Sequence, residues 1–277
     1  MSGLQGKVAL VTGAARGQGR AHCVRMAQAG ADIIAVDVLE DNDQVAYGLA
    51  TQQDMDETQR LVSETGRRFV GRRADVRSQD DLDAAVAAGI EALGPIDAVC
   101  ANAGISGRKC ASWELEERAF ENILQVNLLG AWRTVKAAVP AMIEAKRGGS
   151  IVFINSTLGF KGIKGLSAYT ASKHGMIGLA RCLAAELAPY DIRVNSVAPT
   201  GVGTPLIWNE ETYRHFRPDV EAPGLQDAME SFLSMHQLAV PWVDPIDVAN
   251  AVAFLASDEA RCITGIALPV DAGNLNR

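Results

Sequence analysis

The chain contains no Cys-x-x-Cys pair and no His-Glu-x-x-His, so neither a zinc ribbon nor a metalloprotease helix is written in it. Its five cysteines, Cys23, Cys100, Cys110, Cys182 and Cys262, are odd in number and scattered. That pattern argues against a disulfide framework and predicts buried free thiols. The four histidines, His22, His174, His215 and His236, share no ligand spacing, and no metal is expected. No apolar run approaches the ~20 residues of a membrane span. Residues 1–6 carry no basic stretch and 8–11 is too short for a signal-peptide core, so the expected location is cytoplasmic. Basic residues are in deficit, 26 against 33 acidic, for a formal net charge of −7. This speaks against nucleic acid or an anionic membrane as partner. Nor does any repeat or low-complexity tract mark a domain boundary. With 277 residues, 48% of them apolar, the chain reads as one domain spanning 1–277.

What is present is a regular alternation. Short apolar runs at 7–12, 32–36, 69–73, 96–101, 150–155, 192–197 and 266–270 are predicted strands. Between them, 15–29, 52–64, 79–92, 120–146, 167–187 and 245–256 are predicted helices. Gly30, Gly66 and Gly94-Pro95 stop three of these, and Asp244 caps the last. Strands apolar on both faces and alternating with helices imply an α/β architecture, a parallel sheet covered on both sides. Right-handed crossovers make it a doubly wound, Rossmann-type fold. Two segments break the rhythm. The polar stretch 38–55 lengthens the connection after the second strand. The stretch 201–243 is long and mixed, with Trp208, His215, Phe216, Phe232, Met235 and Trp242. It follows a strand's carboxyl end, where such sheets bind ligands, and reads as a substrate lid; its aromatics Trp208, Phe216, Phe232 and Trp242 fit the walls of an apolar pocket and equally a core or a subunit interface.

Gly13, Gly17 and Gly19 follow the first strand and open the first helix, in the run Thr12-Gly13-Ala14-Ala15-Arg16-Gly17-Gln18-Gly19. Glycines there let the backbone approach a pyrophosphate, which meets the free N–H groups of the helix start. The spacing is GxxxGxG rather than GxGxxG. Asp37 ends the second strand, followed by Val38. A carboxylate there binds an adenosine ribose 2′-hydroxyl and repels a 2′-phosphate, which favours NAD over NADP despite Arg16. Asp75-Val76 after the third strand is placed for the adenine. Asn102-Ala103-Gly104 after the fourth leaves room for a cofactor, and Asn102 can tie adjacent strand ends.

Tyr169 and Lys173 are one helical turn apart and share a face. Oxidation of a secondary alcohol needs a base for the hydroxyl proton. A phenolate serves if a neighbouring ammonium and an oxidised nicotinamide stabilise it. Ser156, at the end of the fifth strand, can hold the substrate oxygen. Asn127, mid-helix, can carry a water extending the relay from Lys173. A serine-nucleophile reading has no GxSxG elbow and no recognisable His-Asp pair behind it.

With these motifs in place, the chain resembles the short-chain dehydrogenase/reductase family over nearly its whole length. The resemblance implies a seven-stranded parallel sheet, a homotetramer, and cofactor contacts from Pro199, Thr200, Val202 and Thr204 in Asn195–Thr204, NSVAPTGVGT. The common family pattern has Pro-Gly where this chain has Pro199-Thr200. Thr204 matches the residue that contacts the nicotinamide carboxamide. The insertion after Asp37, with PTGVGTPLIWNE, FRPDVEAPG, PWVDPIDVANAVAFLASDEARCITG and PVDAGN, resembles the mycofactocin-coupled, carveol dehydrogenase-like subfamily. That subfamily is thought to hold NAD without exchange and to pass electrons to a peptide-derived carrier, mycofactocin. The expected function is hydride transfer between NAD and a small apolar secondary alcohol or ketone, such as a carveol-like terpenoid. A 3-oxoacyl thioester reductase is the enzymatic rival, disfavoured by Asp37 and the net acidity. A catalytically silent dinucleotide-binding scaffold is the other, disfavoured by the intact Asn127, Ser156, Tyr169 and Lys173.

Overall fold

Short β-branched and small apolar runs form the strands of the computed structural model, which describes residues 3–45 and 47–277. The strands are β1 (Val8–Thr12), β2 (Asp32–Asp37), β3 (Phe69–Arg73), β4 (Ala98–Ala101), β5 (Gly149–Ile154), β6 (Ile192–Pro199) and β7 (Ala267–Val270). They make one parallel sheet in the order β3-β2-β1-β4-β5-β6-β7. The order reverses between β1 and β4. Connections there run away in opposite directions, which opens a crevice at the carboxyl ends.

Alternate side chains on each strand point to opposite faces. Leu10, Ile34, Val99, Phe153 and Val194 face α3 (Gln79–Leu93), α5 (Gly130–Ala145) and α6 (Ser167–Leu187). Ala9, Val11, Ile33, Val152 and Val197 face α1 (Gly17–Gln28), α2 (Gln52–Ser63) and α9 (Pro245–Ala256). Large members of both layers, Phe153, Leu10 and Ile33 among them, are fully buried. Each such side chain stabilises the fold by ~1.5–3 kcal/mol. Small residues on the α1 side, Ala9, Ala35 and Ala98 opposite Ala27, let the helices approach the sheet closely.

Several expectations are corrected. The first helix begins at Gly17, not at residue 15, because Arg16 is extended and serves as N-cap. The helix expected over 120–146 is two helices, α4 (Glu117–Leu124) and α5, joined by a π-turn at Gln125–Leu129 that carries Asn127. The stretch 201–243 is not all loop. It contains α7 (Glu210–Phe216) and α8 (Leu225–Ser234), each too short for a clear 3.6-residue period. The expected thiol burial holds for Cys23 and Cys100 only. Cys110 is partly buried, and Cys182 and Cys262 are exposed. Cys182 falls on the solvent side of α6, where a small thiol costs little. Residues 1, 2 and 46, the last inside the 38–55 insertion, lie outside the described residues. Among the described residues no helix is long and apolar enough to cross a membrane, and no cluster of His, Cys, Asp or Glu is placed to hold a metal.

Candidate active site

A cavity of about 470 Å³ follows the carboxyl edge of the sheet, from Asp37 and Asp75 at one end to Tyr169 and Lys173 at the other. Its floor is the turn between β1 and α1. Gly13 and Gly17 have φ of 64° and 55°, which disfavours any side chain. At Gly19 a Cβ would lie 1.8 Å from the Gly13 carbonyl oxygen. A Cβ on Gly13 would come within 2.9 Å of Ala103 Cα. The start of α1 has no side-chain cap, so the N–H groups of its first turn, from Gly17, Gln18 and Gly19, line the cavity without one. Gln18 also leaves a buried Oε1 without a partner. Backbone donors at a helix start, cleared of side chains, fit a diphosphate.

Asp37 is buried, and its Oδ2 accepts from the Ala15 N–H at 2.9 Å. Burial pushes its carboxyl above the usual range, opposed by main-chain donors at Ala15, Leu39 and Val38. Ala15 thus contributes an amide that orients Asp37 and does not itself line the cavity. Asp37 and Val38 do line it, a fit to a ribose diol. Arg16, considered for a 2′-phosphate, donates to the Gly48 carbonyl instead and ties the insertion to the glycine turn. Asp75, paired with Arg77 at 2.6 Å, and Val76 line the same end.

Asn102 joins two strand ends. Its Nδ2 donates to the Thr12 and Gly13 carbonyls at 2.9 and 3.1 Å, while Thr12 Oγ1 accepts from the Asn102 and Ala103 amides. Asn102, Ala103 and Gly104 line the middle of the cavity. Behind them Asn127 is fully buried. Its Oδ1 accepts from Ile105 N–H and its Nδ2 donates to Ile105 carbonyl, both at 2.9 Å, and to Ser172 Oγ at 3.2 Å. With its amide spent this way, a water relay through Asn127 has only the main chain to use.

At the far end Lys173 is 4% exposed and donates to the Ile154 carbonyl at 2.8 Å. Burial pulls its amine down to about 7. Tyr169, on the same face of α6, has its ring centre 5.4 Å from Lys173 Nζ. Burial pushes its phenol up to about 12, and a hydrogen bond with Ser156 works the other way. Ser156 is hydrogen-bonded to Tyr169 without itself being one of the lining residues. Its Oγ also accepts from Leu158 N–H at 3.1 Å. Asn155 fastens this end, donating to the Lys173 carbonyl at 3.2 Å and accepting from Ser156 N–H at 2.8 Å.

Of the residues expected after β6, Thr204 lines the cavity, while Pro199, Thr200 and Val202 do not. Thr200 Oγ1 is 2.8 Å from His236 Nε2, and Val202 bridges to Val243. Both contacts pin the base of the 201–243 segment. The lid aromatics pack on each other: Trp208 on Trp242 at 5.5 Å, Phe232 on Trp242 at 5.7 Å and Phe216 on Phe232 at 4.9 Å. They form the segment's own small core. The cavity instead receives Pro205 and Leu206. The sequence reading also passed over Tyr47, Leu49, Ala50 and Ile105 in the wall. Tyr47 had one usable signal, as the lone aromatic in a polar insertion.

This geometry agrees with comparison to known proteins. A family model described as short chain dehydrogenase matches residues 7–214. The chain is 46% identical over 273 residues to a (−)-trans-carveol dehydrogenase from Rhodococcus erythropolis, covering 99% of each chain. It superimposes with a TM-score of 0.98, at 47% identity and with all of each chain covered, on carveol dehydrogenase from Mycobacterium avium in complex with NAD. A short chain dehydrogenase from Mycobacterium paratuberculosis bound to NAD gives a TM-score of 0.87 at 41% identity, covering 99% of this chain and 100% of that one.

Proposed function

The chain belongs to the short-chain dehydrogenase family, and from that membership we propose that it is an NAD-dependent oxidoreductase acting on a small apolar secondary alcohol or its ketone. The observation that carries this reading is that Tyr169, hydrogen-bonded to Ser156, and Lys173 line one end of a cavity whose other end carries a glycine cradle and Asp37. Gly13, Gly17, Gln18 and Gly19 would hold the diphosphate. Asp37 would hold the adenosine ribose, and Asp75 and Val76 would flank the adenine. Bound NAD would supply the hydride acceptor.

The chain's own residues then manage the proton. Ser156, its Oγ held by Leu158 N–H, positions the alcohol oxygen. Tyr169 takes the hydroxyl proton in oxidation and returns it in reduction. A phenol held at about 12 is a poor base near neutrality. Positive charge nearby, from an oxidised nicotinamide and from Lys173 in its protonated form, favours the phenolate. Lys173 is fixed for that task by Ile154. General acid–base help of this kind is worth ~10²–10⁴ in rate.

Substrate and cofactor handling follow the resemblance. A carveol-like terpenoid alcohol is the proposed substrate class, supported by the apolar walls Ile105, Pro205 and Leu206 and by the named relatives. The insertion 38–55 contributes Val38, Glu40, Asp41, Asn42, Tyr47, Leu49 and Ala50 to the wall. It is fastened by Arg73 to Glu40, Arg118 to Asp43 and Arg16 to Gly48. We therefore propose that it covers a tightly held NAD, with reoxidation by mycofactocin, in a cytoplasmic homotetramer whose 201–243 segment is the substrate lid. Mass spectrometry of the purified, denatured protein tests the cofactor reading: one NAD per chain is expected. Protein that emerges empty and turns over freely added NAD would overturn the tight-cofactor part. Protein that uses no nicotinamide cofactor at all would overturn the function.

A further inference from the structure

Tyr47 is the sole aromatic residue of 38–55, a segment that leaves the sheet beside the adenosine end. Its side chain nevertheless lines the same cavity as Tyr169. Its hydroxyl accepts from the Ser106 N–H in a long bond of 3.4 Å. Ser106 adjoins Ile105, the wall residue that Asn127 clamps from behind. Burial raises the Tyr47 phenol, Ser106 and Arg16 work the other way, Glu211 on α7 is close enough to raise it slightly, and Tyr47 in turn raises Tyr169. Three pieces of chain distant in sequence thus meet at one ring: the insertion, the loop after β4 and the first lid helix.

We propose that Tyr47 is a specificity-determining residue whose ring walls the alcohol site facing Tyr169 and whose hydroxyl, through Ser106, fastens the insertion across the cavity. This rests on the dehydrogenase reading above. The hydroxyl is engaged by Ser106, so a substrate meets mainly the flat apolar ring. A saturated ring large enough to span from Tyr169 to that face gains contact area. A three-carbon alcohol or ketone held at Ser156 and Tyr169 does not reach it.

The test uses the NADH-loaded protein, mixed with cyclohexanone or acetone, and follows loss of reduced-nicotinamide absorbance in a single turnover. Tyr47→Ala should raise the half-saturating cyclohexanone concentration about tenfold and leave acetone unchanged, the range expected for lost apolar pocket contacts. Tyr47→Phe keeps the ring, so it should retain the preference for cyclohexanone while releasing NADH several-fold faster than wild type on dilution. A Tyr47→Ala variant with the wild-type cyclohexanone-to-acetone ratio overturns the proposal. Should the wild type bind NADH yet reduce neither ketone, release decides: faster loss of NADH from both variants supports the fastening, and an unchanged rate overturns it. A wild type that neither binds NADH nor reduces either ketone removes the dehydrogenase reading and this inference with it.

Discussion

The two ends of the cavity are built on opposite rules. The proposed cradle around Gly13, Gly17 and Gly19 would work by what is missing: no side chain may intrude, and the recognising groups would be backbone amides. The proposed relay around Ser156, Tyr169 and Lys173 would work by what is present: three side chains, each aimed by a second contact. The first should therefore fail when atoms are added and the second when atoms are removed.

The largest expected effect is at the relay. Tyr169→Phe should lower turnover by about 10³-fold while NADH binding, read by fluorescence titration, changes little. Retained activity would mean that the proton leaves by another route and the contrast is false. Next comes the cradle. Gly19→Ala places a methyl 1.8 Å from the Gly13 carbonyl, so the turn must shift. Overpacking of ~1–3 kcal/mol predicts roughly ten- to hundredfold weaker NADH binding with the relay intact. Wild-type affinity in that variant would show that the diphosphate is not held there. Smaller still, Asp37→Ser should raise the NADPH-to-NADH affinity ratio about tenfold by removing a charge that repels a 2′-phosphate. An unmoved ratio would take Asp37 out of the ribose site.

The smallest effect concerns stability and pH. Burial pulls the Lys173 amine down to about 7, against an ordinary ~10.5. Below about 7 both folded and unfolded chains carry the proton, and the charge is a fixed cost to the fold. Between the two values the unfolded chain holds a proton the folded chain has released. The stability of nucleotide-free protein should thus rise with pH, by at most ~1.4 kcal/mol per unit. Lys109, pulled down to about 8, adds to the rise only at higher pH. Melting temperatures at pH 7 and 8 should climb in the wild type and stay nearly flat in Lys173→Met. Parallel behaviour of the two proteins would sink the assignment of a buried amine that gives up its proton near pH 7.

Much of the cradle and relay was legible before folding because each depends on spacing within one element. Tyr169 and Lys173 share a helix face whatever the rest of the chain does. Gly13, Gly17 and Gly19 mark a strand-to-helix turn by their type alone. The neighbours that aim these groups were less accessible. Asn155 was read only as the end of a strand, yet it ties Lys173 to Ser156. Asn127 suits a water carrier by type, and only the fold shows that its Nδ2 donates to Ile105 and Ser172 and its Oδ1 accepts from Ile105, which points a water to the main chain. Trp208, Phe232 and Trp242, apolar and in a long connection, suit a pocket wall or a core equally by sequence; in the fold they pack on one another, with Phe232 buried at the centre and Trp208 exposed. Thr200 departs from the family's usual glycine, and only the fold supplies its partner, His236, 36 residues away in the chain.

From sequence alone came the alternation of strand and helix, the parallel sheet, and the candidate residues of cradle and relay. These rest on backbone periodicity and on interactions between residues a few positions apart. The fold decided which side chains border the cavity, which polar groups are already engaged, and that Tyr47 shares one cavity with Tyr169. Such meetings join residues tens of positions apart, and their geometry exists only after both sheet faces have packed.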